Sequence, residues 1–112
     1  QILDLALCAP TRDGGFSLTS SNPYFPMEVR RRWVFEGEEG GVLMRLQKTV
    51  LDETEVVAGI TTRVIEEEER ADGNLIERSR NFFAQASDGT VCYFGEDVDI
   101  YQGGVVVRHD GA

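Results

Sequence analysis

The chain has 112 residues, of which 41% are hydrophobic and 28% are charged, and its formal net charge is −9. This length and balance fit one folded domain with a modest core and exclude a disordered chain. The negative charge argues against nucleic acids and anionic membrane surfaces, because both are bound mainly through lysine and arginine. No apolar run approaches the roughly 18 residues of a membrane span, and three consecutive arginines at 30–32 are read as a solvated face.

The N-terminal segment, residues 1–20, contains two short β-prone runs. In the second run Phe16 and Leu18 alternate with polar residues, which predicts a strand with one buried face. This segment is expected either to form an ordinary first hairpin or to add a strand to a neighbouring copy, as in strand-donation assemblies. Residues 21–112 are predicted to form the antiparallel β domain, which begins at a proline-rich corner.

Strands are predicted next at 32–36 and 42–50, on either side of a glycine-containing turn. A loop at 52–54 then precedes a segment in which Ala58-Gly59 makes a tight turn. The glutamates of 64–70 favour a helix, but the β-branched residues before them and the Asp-Gly pair after them favour a strand.

Asp-Gly pairs at 72–73 and 88–89 and a Gly-Gly pair at 103–104 punctuate the rest of the chain. Such pairs suit two-residue hairpin turns, in which both central residues need φ > 0. Turns at this spacing predict an all-β, single-domain antiparallel meander, forming a strongly curved sheet or a small open barrel.

Counting outward from these turns predicts two strand registers. The first Asp-Gly turn sets Glu67 opposite Arg78, a favourable pair of opposite charges. The second sets Phe83 opposite Phe94, an aromatic pair that would lie at the centre of the core.

The aromatic residues have two interpretations. They can line a pocket for an apolar ligand, or they can build the core that a chain of this size needs. We favour the core for the whole set, which comprises Tyr24, Phe25, Trp33, Phe35, Phe82, Phe83, Tyr93, Phe94 and Tyr101.

No catalytic constellation is evident, so we do not expect an enzyme. His109 is the single histidine, and nothing near it in sequence supplies a nucleophile or pocket. Glu96, Asp97 and Asp99 are the candidate ligands of a calcium site, since carboxylates on loops can supply its oxygen ligands. The alternative for this cluster is an exposed, negatively charged sheet edge, which discourages unwanted pairing. No other cofactor is expected.

Cys8 and Cys92 are the only cysteines. In an exported chain they predict one disulfide, within the chain or between copies. Two buried free thiols are the alternative.

Four stretches resemble an uncharacterised family of secreted bacterial proteins. They are NPYFP at 22–26, WVFEG at 33–37, FFAQ at 82–85 and DGTVCYFGED at 88–97. The family's pattern reads NPYFPL, PG-W-Y-G and DWYAQD followed by DGNVWYFGE. This chain departs from it at 29–32, where Pro-Gly is usual, and at Cys92, where Trp is common. The resemblance implies export and a β-rich domain, and it supplies no catalytic residues.

These observations predict a non-catalytic extracellular structural or self-assembling β module. It would be a filament or surface-layer subunit that uses N-terminal strand donation, with copies of itself as partners. The chain begins at Gln1 rather than Met, which is compatible with signal cleavage. The alternative function is an extracellular binding module for an apolar ligand or calcium.

Overall fold

The computed structural model describes residues 16–18, 26–86 and 89–111. These residues contain no helix and form one antiparallel sheet in the order β2-β3-β4-β5-β6-β7, with β1 beside β5. The strands are β1 (Phe16–Ser17), β2 (Arg32–Glu39), β3 (Val42–Val57), β4 (Ile60–Ala71), β5 (Asn74–Ala86), β6 (Val91–Gln102) and β7 (Val105–Gly111). The all-β meander is confirmed, as is the strand over 64–70, and the sheet does not close into a barrel.

Two-residue turns join most of the strands, as the Gly-containing pairs predict. Ala58 and Gly59 have φ values of 50° and 80°, and Asp72 and Gly73 have values of 47° and 82°. Glycines occupy both positions of the turn at 103–104. Because both central residues have φ > 0, these turns match the right-handed twist of the strands that they connect.

The predicted register of the β4–β5 hairpin is wrong beyond its first two pairs. Ala71 lies opposite Asn74 as expected, but a bulge follows between Glu69 and Arg70. An extra residue on one strand shifts every later pair by one position. Arg78 therefore lies opposite Glu68 instead of Glu67.

The predicted register of the β5–β6 pair is wrong by one residue at 83–85, beside the turn, and a bulge between Asn81 and Phe83 restores it for residues 77–81. Phe83 lies opposite Tyr93, with ring centroids 5.5 Å apart, and not opposite Phe94. Phe94 instead makes an edge-to-face contact with Phe16, at 5.4 Å. Gly89 has a φ of 94°, whereas Asp88 lies outside the described residues.

A bulge, not a loop, occupies the stretch predicted as a loop at 52–54. The pairing of β3 with β4 shifts between Val50 and Thr54, and β3 continues through it. The Arg63 guanidinium reaches back to this point, where its Nη1 donates to the carbonyl oxygens of Leu51 and Glu53 at 3.4 and 3.3 Å. These bonds satisfy carbonyls that the interrupted ladder would otherwise leave unpaired.

The described part of the N-terminal segment pairs within the chain. Phe16 lies opposite Ala86 and Ser17 lies opposite Gln85, so β1 extends the sheet beside the last residues of β5. The remainder of residues 1–20, apart from Leu18, and the corner at 22–25 lie outside the described residues.

Two small apolar clusters lie on opposite faces of the sheet. In one, Ala86 and Cys92 are buried and contact Phe16 and Phe94. In the other, the buried residues Met27, Val50 and Ile65 contact Trp33, Phe83 and Val91. Residues 83 and 84 are neighbours on β5 and so point to opposite faces, and Cys92 lies opposite Ala84.

Both clusters lie away from the turns at 40–41, 72–73 and 103–104. Toward these turns the described residues form a single layer, and among them the aromatic core predicted from the sequence is only partly formed. Phe82 is buried, but the side chains of Phe35 and Tyr93 are 54% and 45% exposed. Tyr24 and Phe25 lie outside the described residues.

Candidate functional site

The outer strands of the sheet, β2 and β7, are its most unusual surfaces. Each pairs on one side only among the described residues: β2 with β3, and β7 with β6. An open edge presents unpaired N–H and C=O groups, and proteins usually protect it with charges, proline or a covering element. We call these two surfaces the β2 edge and the β7 edge.

Both edges carry exposed apolar side chains. On the β2 edge, Val34 and Phe35 are 43% and 54% exposed, and on the β7 edge Val105, Val106 and Val107 are 64%, 44% and 56% exposed. Valine and phenylalanine are strand-forming residues. Three consecutive exposed valines therefore lack the usual protection against pairing with another chain.

Polar side chains run across one face in register, in a line that we call the polar row. It passes through Gln47, Glu68, Arg78, Asp99 and His109, each directly opposite the next. Arg78 donates to the Glu68 carboxylate through Nη2 at 2.8 Å and Nε at 3.3 Å. This hydrogen bond raises the pKa of Arg78 further, and the paired charges bind β4 to β5.

The Asp99–His109 contact at the end of the row ties β7 to β6. The Nδ1 atom of His109 lies 2.5 Å from Oδ1 of Asp99, and the imidazole is 59% exposed. The hydrogen bond to Asp99 raises the pKa of His109 above 6.5. The pair has the carboxylate and base of a catalytic arrangement, but a third group that acts as nucleophile is required for covalent catalysis.

The three predicted calcium ligands are placed on two faces of the sheet. Asp97 and Asp99 lie opposite Arg80 and Arg78 on the face of the polar row. Glu96 points to the other face, because neighbouring residues of a strand alternate, and its carboxylate accepts a hydrogen bond from the Tyr93 hydroxyl at 2.8 Å. Within the described ranges, no group of three or more His, Cys, Asp or Glu residues could hold a metal ion.

The alternative of a charged sheet edge at these three residues is wrong, because β6 is an inner strand between β5 and β7. The calcium site itself stays a prediction.

The Tyr93–Glu96 contact affects the ionisation of the phenol. Partial burial, followed by the hydrogen bond to Glu96, raises the pKa of Tyr93 to about 12.

A groove lies beside the turns at 72–73 and 103–104. Its volume is about 580 Å³, and its lining includes Arg70, Leu75, Ile76 and Tyr101. Apolar side chains and one cation thus share the walls of this groove, which is open to solvent. Of the aromatic residues for which a pocket was the alternative interpretation, this groove contains Tyr101 alone.

Cys92 is fully buried and is in the disulfide-bonded state. Cys8, the other cysteine of the chain, lies outside the described residues. The pairing of Cys8 with Cys92, and whether it forms within or between copies, stays a prediction.

The sequence reasoning missed both the exposed valines of β7 and the polar row. The valine run at 105–107 was visible, but only the strand order shows that it lies on an outer edge. The polar row depends on register shifts in the β3–β4, β4–β5 and β6–β7 pairings, so counting from the turns could not reveal it.

Comparison with protein-family models gave no match, and comparisons with curated proteins and with solved structures gave none either. Among the residues that the structure describes, no helix is long and apolar enough to cross a membrane.

Proposed function

We propose that this chain is a non-catalytic, self-assembling β module that functions outside the cytoplasm as a structural subunit. The observation that carries the proposal is the pair of outer strands at opposite ends of one sheet, both with exposed apolar side chains. Outer strands of this kind add to other strands by main-chain hydrogen bonds. The partner is a further copy of the same chain.

The dimensions of the molecule support this proposal. Its radius of gyration is 15.6 Å and its principal extents are 48 × 28 × 26 Å, whereas a compact domain of this length has a radius of about 13 Å. Its accessible surface is 6974 Å², against roughly 6,200 Å² for a folded monomer of its mass. Association would bury part of this surplus.

The oxidised state of Cys92 supports an exported location. Disulfides persist in oxidising compartments and are rare in the cytosol. Together with the resemblance to secreted proteins described above, it supports a proposed location at the cell surface or beyond it.

Two routes of assembly are consistent with the proposal. N-terminal strand donation would use residues that lie mostly outside the described ranges, since of residues 1–20 only 16–18 are described and Phe16–Ser17 pair with β5 of the same chain. The β2 and β7 edges offer the second route, which needs no rearrangement of the sheet.

Sedimentation velocity of the full chain tests the proposal, combined with negative-stain microscopy and repeated with reductant. We expect species larger than a monomer that grow with protein concentration and persist at moderate salt. Monomers alone at about 100 μM would mean an association weaker than roughly −5 kcal/mol. That result would refute the proposed function.

The groove favours a second candidate, a binding module for an apolar ligand. A fluorescent naphthalene sulfonate is a suitable probe, because it brightens in apolar sites and its sulfonate suits Arg70. Binding should be lost in Leu75→Lys and kept in the control Val56→Lys, whose side chain lies at the exposed end of β3. A wild-type chain that fails to bind the probe removes this candidate.

For the predicted calcium site, an unchanged melting temperature on adding EDTA removes calcium, since a bound ion stabilises the folded state.

A further inference from the structure

We propose that β7 of one copy pairs antiparallel with β2 of the next copy, so that successive copies continue a single sheet. This inference rests on the proposed function and specifies its partner surface. Each copy then pairs through its β7 edge with one neighbour and through its β2 edge with the other. The two edges therefore have different roles.

The strand order makes this pairing geometrically direct. Five consecutive antiparallel pairings connect β2 to β7, so the two outer strands run in opposite directions. A copy displaced across the sheet, and rotated to follow the accumulated twist of its strands, therefore brings its β2 antiparallel to β7 of its neighbour. The pattern of antiparallel hydrogen bonds inside the sheet then continues across the junction.

The side chains favour one alignment of the two strands. The rows of the sheet run from Val34 and Phe35 on β2 to His109 and Arg108 on β7. Extending these rows straight across a junction would set Arg108 opposite Phe35 of the next copy. Over residues 108–110 of β7, which follow the bulge in the β6–β7 pairing, a slide by two residues keeps every side chain on its face, because the side-chain period is two.

That slide brings complementary groups together. Arg108 then lies opposite Trp33, where a guanidinium can stack on the indole ring. Val106 takes no part in this contact, because the β6–β7 pairing shifts between Ile100 and Tyr101 and leaves Val106 on the face opposite Arg108. Asp110 lies opposite Arg31, whose side chain is 46% exposed and already sits 5.5 Å from the Trp33 ring. Apolar residues and opposite charges each stabilise cross-strand pairs.

Pairing of like edges is less favourable on β7. A two-fold axis would set one β7 antiparallel to another, and the alignment that pairs the whole strand places Arg108 opposite its own copy. Like charges directly opposite each other destabilise a strand pair.

Two single variants test the pairing, each of which blocks one edge with a lysine. Val106→Lys blocks the β7 edge and leaves the β2 edge open, and Phe35→Lys does the reverse. Val56→Lys is the matched control, because Val56 is 64% exposed and lies on neither edge. Melting temperatures close to that of the wild type show that all three variants fold.

We expect each blocked variant to be monomeric by light scattering, and the control to assemble like the wild type. An equimolar mixture of the two blocked variants should form dimers and stop there, with a doubling of mass. This arrest is specific to unlike edges, because a dimer of the mixture has one blocked edge at each end.

Other outcomes overturn the inference and leave the proposed function standing. A blocked variant that dimerises alone would indicate pairing of like edges. Variants that assemble as the wild type does would indicate another route, such as the N-terminal segment. A monomeric wild type is the distinct result that refutes the proposed function itself.

The alignment has its own test within the mixed dimer. Adding Asp110→Arg to the Phe35→Lys chain should weaken the dimer about twofold to fivefold, as expected for an exposed ion pair. Adding Arg31→Asp to the other chain should restore it. If neither change alters the dissociation constant, the alignment is wrong.

Discussion

Glu69 and Glu77 lie directly opposite each other on neighbouring strands, although both are acidic. Burial raises the pKa of Glu77, and the nearby carboxylates of Glu69, Glu96 and Glu67 raise it further. The face opposite the polar row therefore carries unfavourable charge at neutral pH. Such repulsion costs a few tenths of a kcal/mol for each directly opposed pair.

Replacing Glu77 with glutamine should stabilise the fold at pH 7, because the amide keeps the shape of the side chain and removes the repelling charge. We expect the free energy of unfolding to rise by about 0.3 to 1 kcal/mol, measured as a shift of the urea midpoint. Glu55→Gln is the control, since Glu55 is exposed and lies opposite Thr62. An equal gain in both variants would point to net charge instead of the Glu69–Glu77 contact.

The wild-type chain should become more stable as the pH falls from neutral toward 5. Burial is the largest cause that raises the pKa of both Glu66 and Glu77 above 4.5. A group with a raised folded-state pKa holds its proton at pH values where the unfolded chain has lost it, so acidification favours folding until both states are protonated. The Glu77→Gln variant should show a shallower rise. A stability that falls over this range would contradict the assignment.

His109 should titrate above 6.5 in the folded chain because of its hydrogen bond to Asp99. Its contribution to stability is present below 6.5 and is lost as the pH rises through the folded-state pKa. The single imidazole gives an unambiguous NMR titration. In Asp99→Asn the pKa should return toward 6.5, and a titration that stays unchanged would show that the contact does not form in solution.

Asn81 should be important for stability although it is polar. It is buried, and its Nδ2 lies within 3.3 Å of the Ile65 carbonyl oxygen, 3.1 Å of the Glu67 carboxylate and 3.0 Å of the Ser79 hydroxyl. Truncation to alanine removes this donor from a buried position, at a cost of about 1 to 3 kcal/mol. Asn74→Ala, on the exposed side of a turn, should change the urea midpoint little. Similar losses in the two variants would refute this role.

The stability of the fold should depend on which residue replaces Asp72. Its φ is 47°, and its Oδ1 accepts a hydrogen bond from the Leu43 amide at 2.9 Å, which links two hairpins. Asp72→Ala loses this bond and strains the backbone, so the melting temperature should fall by an amount equivalent to about 1 to 2 kcal/mol. Asparagine tolerates positive φ and keeps the acceptor. Asp72→Asn should therefore be nearly neutral, and equal losses would contradict the explanation.

The sequence was most informative where backbone conformation is decided locally. The pairs Ala58-Gly59 and Asp72-Gly73 require positive φ, and both turns form as predicted. From such turns the number and direction of the strands follow, and with them the meander. The short-range rule is reliable here because one or two residues decide the turn type.

The registers and the packing could not be read in the same way. A single bulge at Glu69 moved Arg78 from Glu67 to Glu68, and a bulge has no strong signal in the residues that flank it. Phe35 was assigned to the core because large aromatic residues are usually buried. Its exposure follows from its place on the outermost strand, a property of the whole topology.

Both apolar clusters lie toward one end of the sheet, so the local stability of the sheet differs between its two ends. The hairpin ends at 40–41, 72–73 and 103–104 are held by ladder hydrogen bonds and turn geometry, with little buried apolar surface beneath them. Regions of this kind open at lower free energy than the molecule as a whole, and their amides exchange with solvent first. The end of the sheet that holds the two apolar clusters is therefore the rigid one, and the end with these three turns opens more readily. Both exposed edges extend into the end that opens more readily.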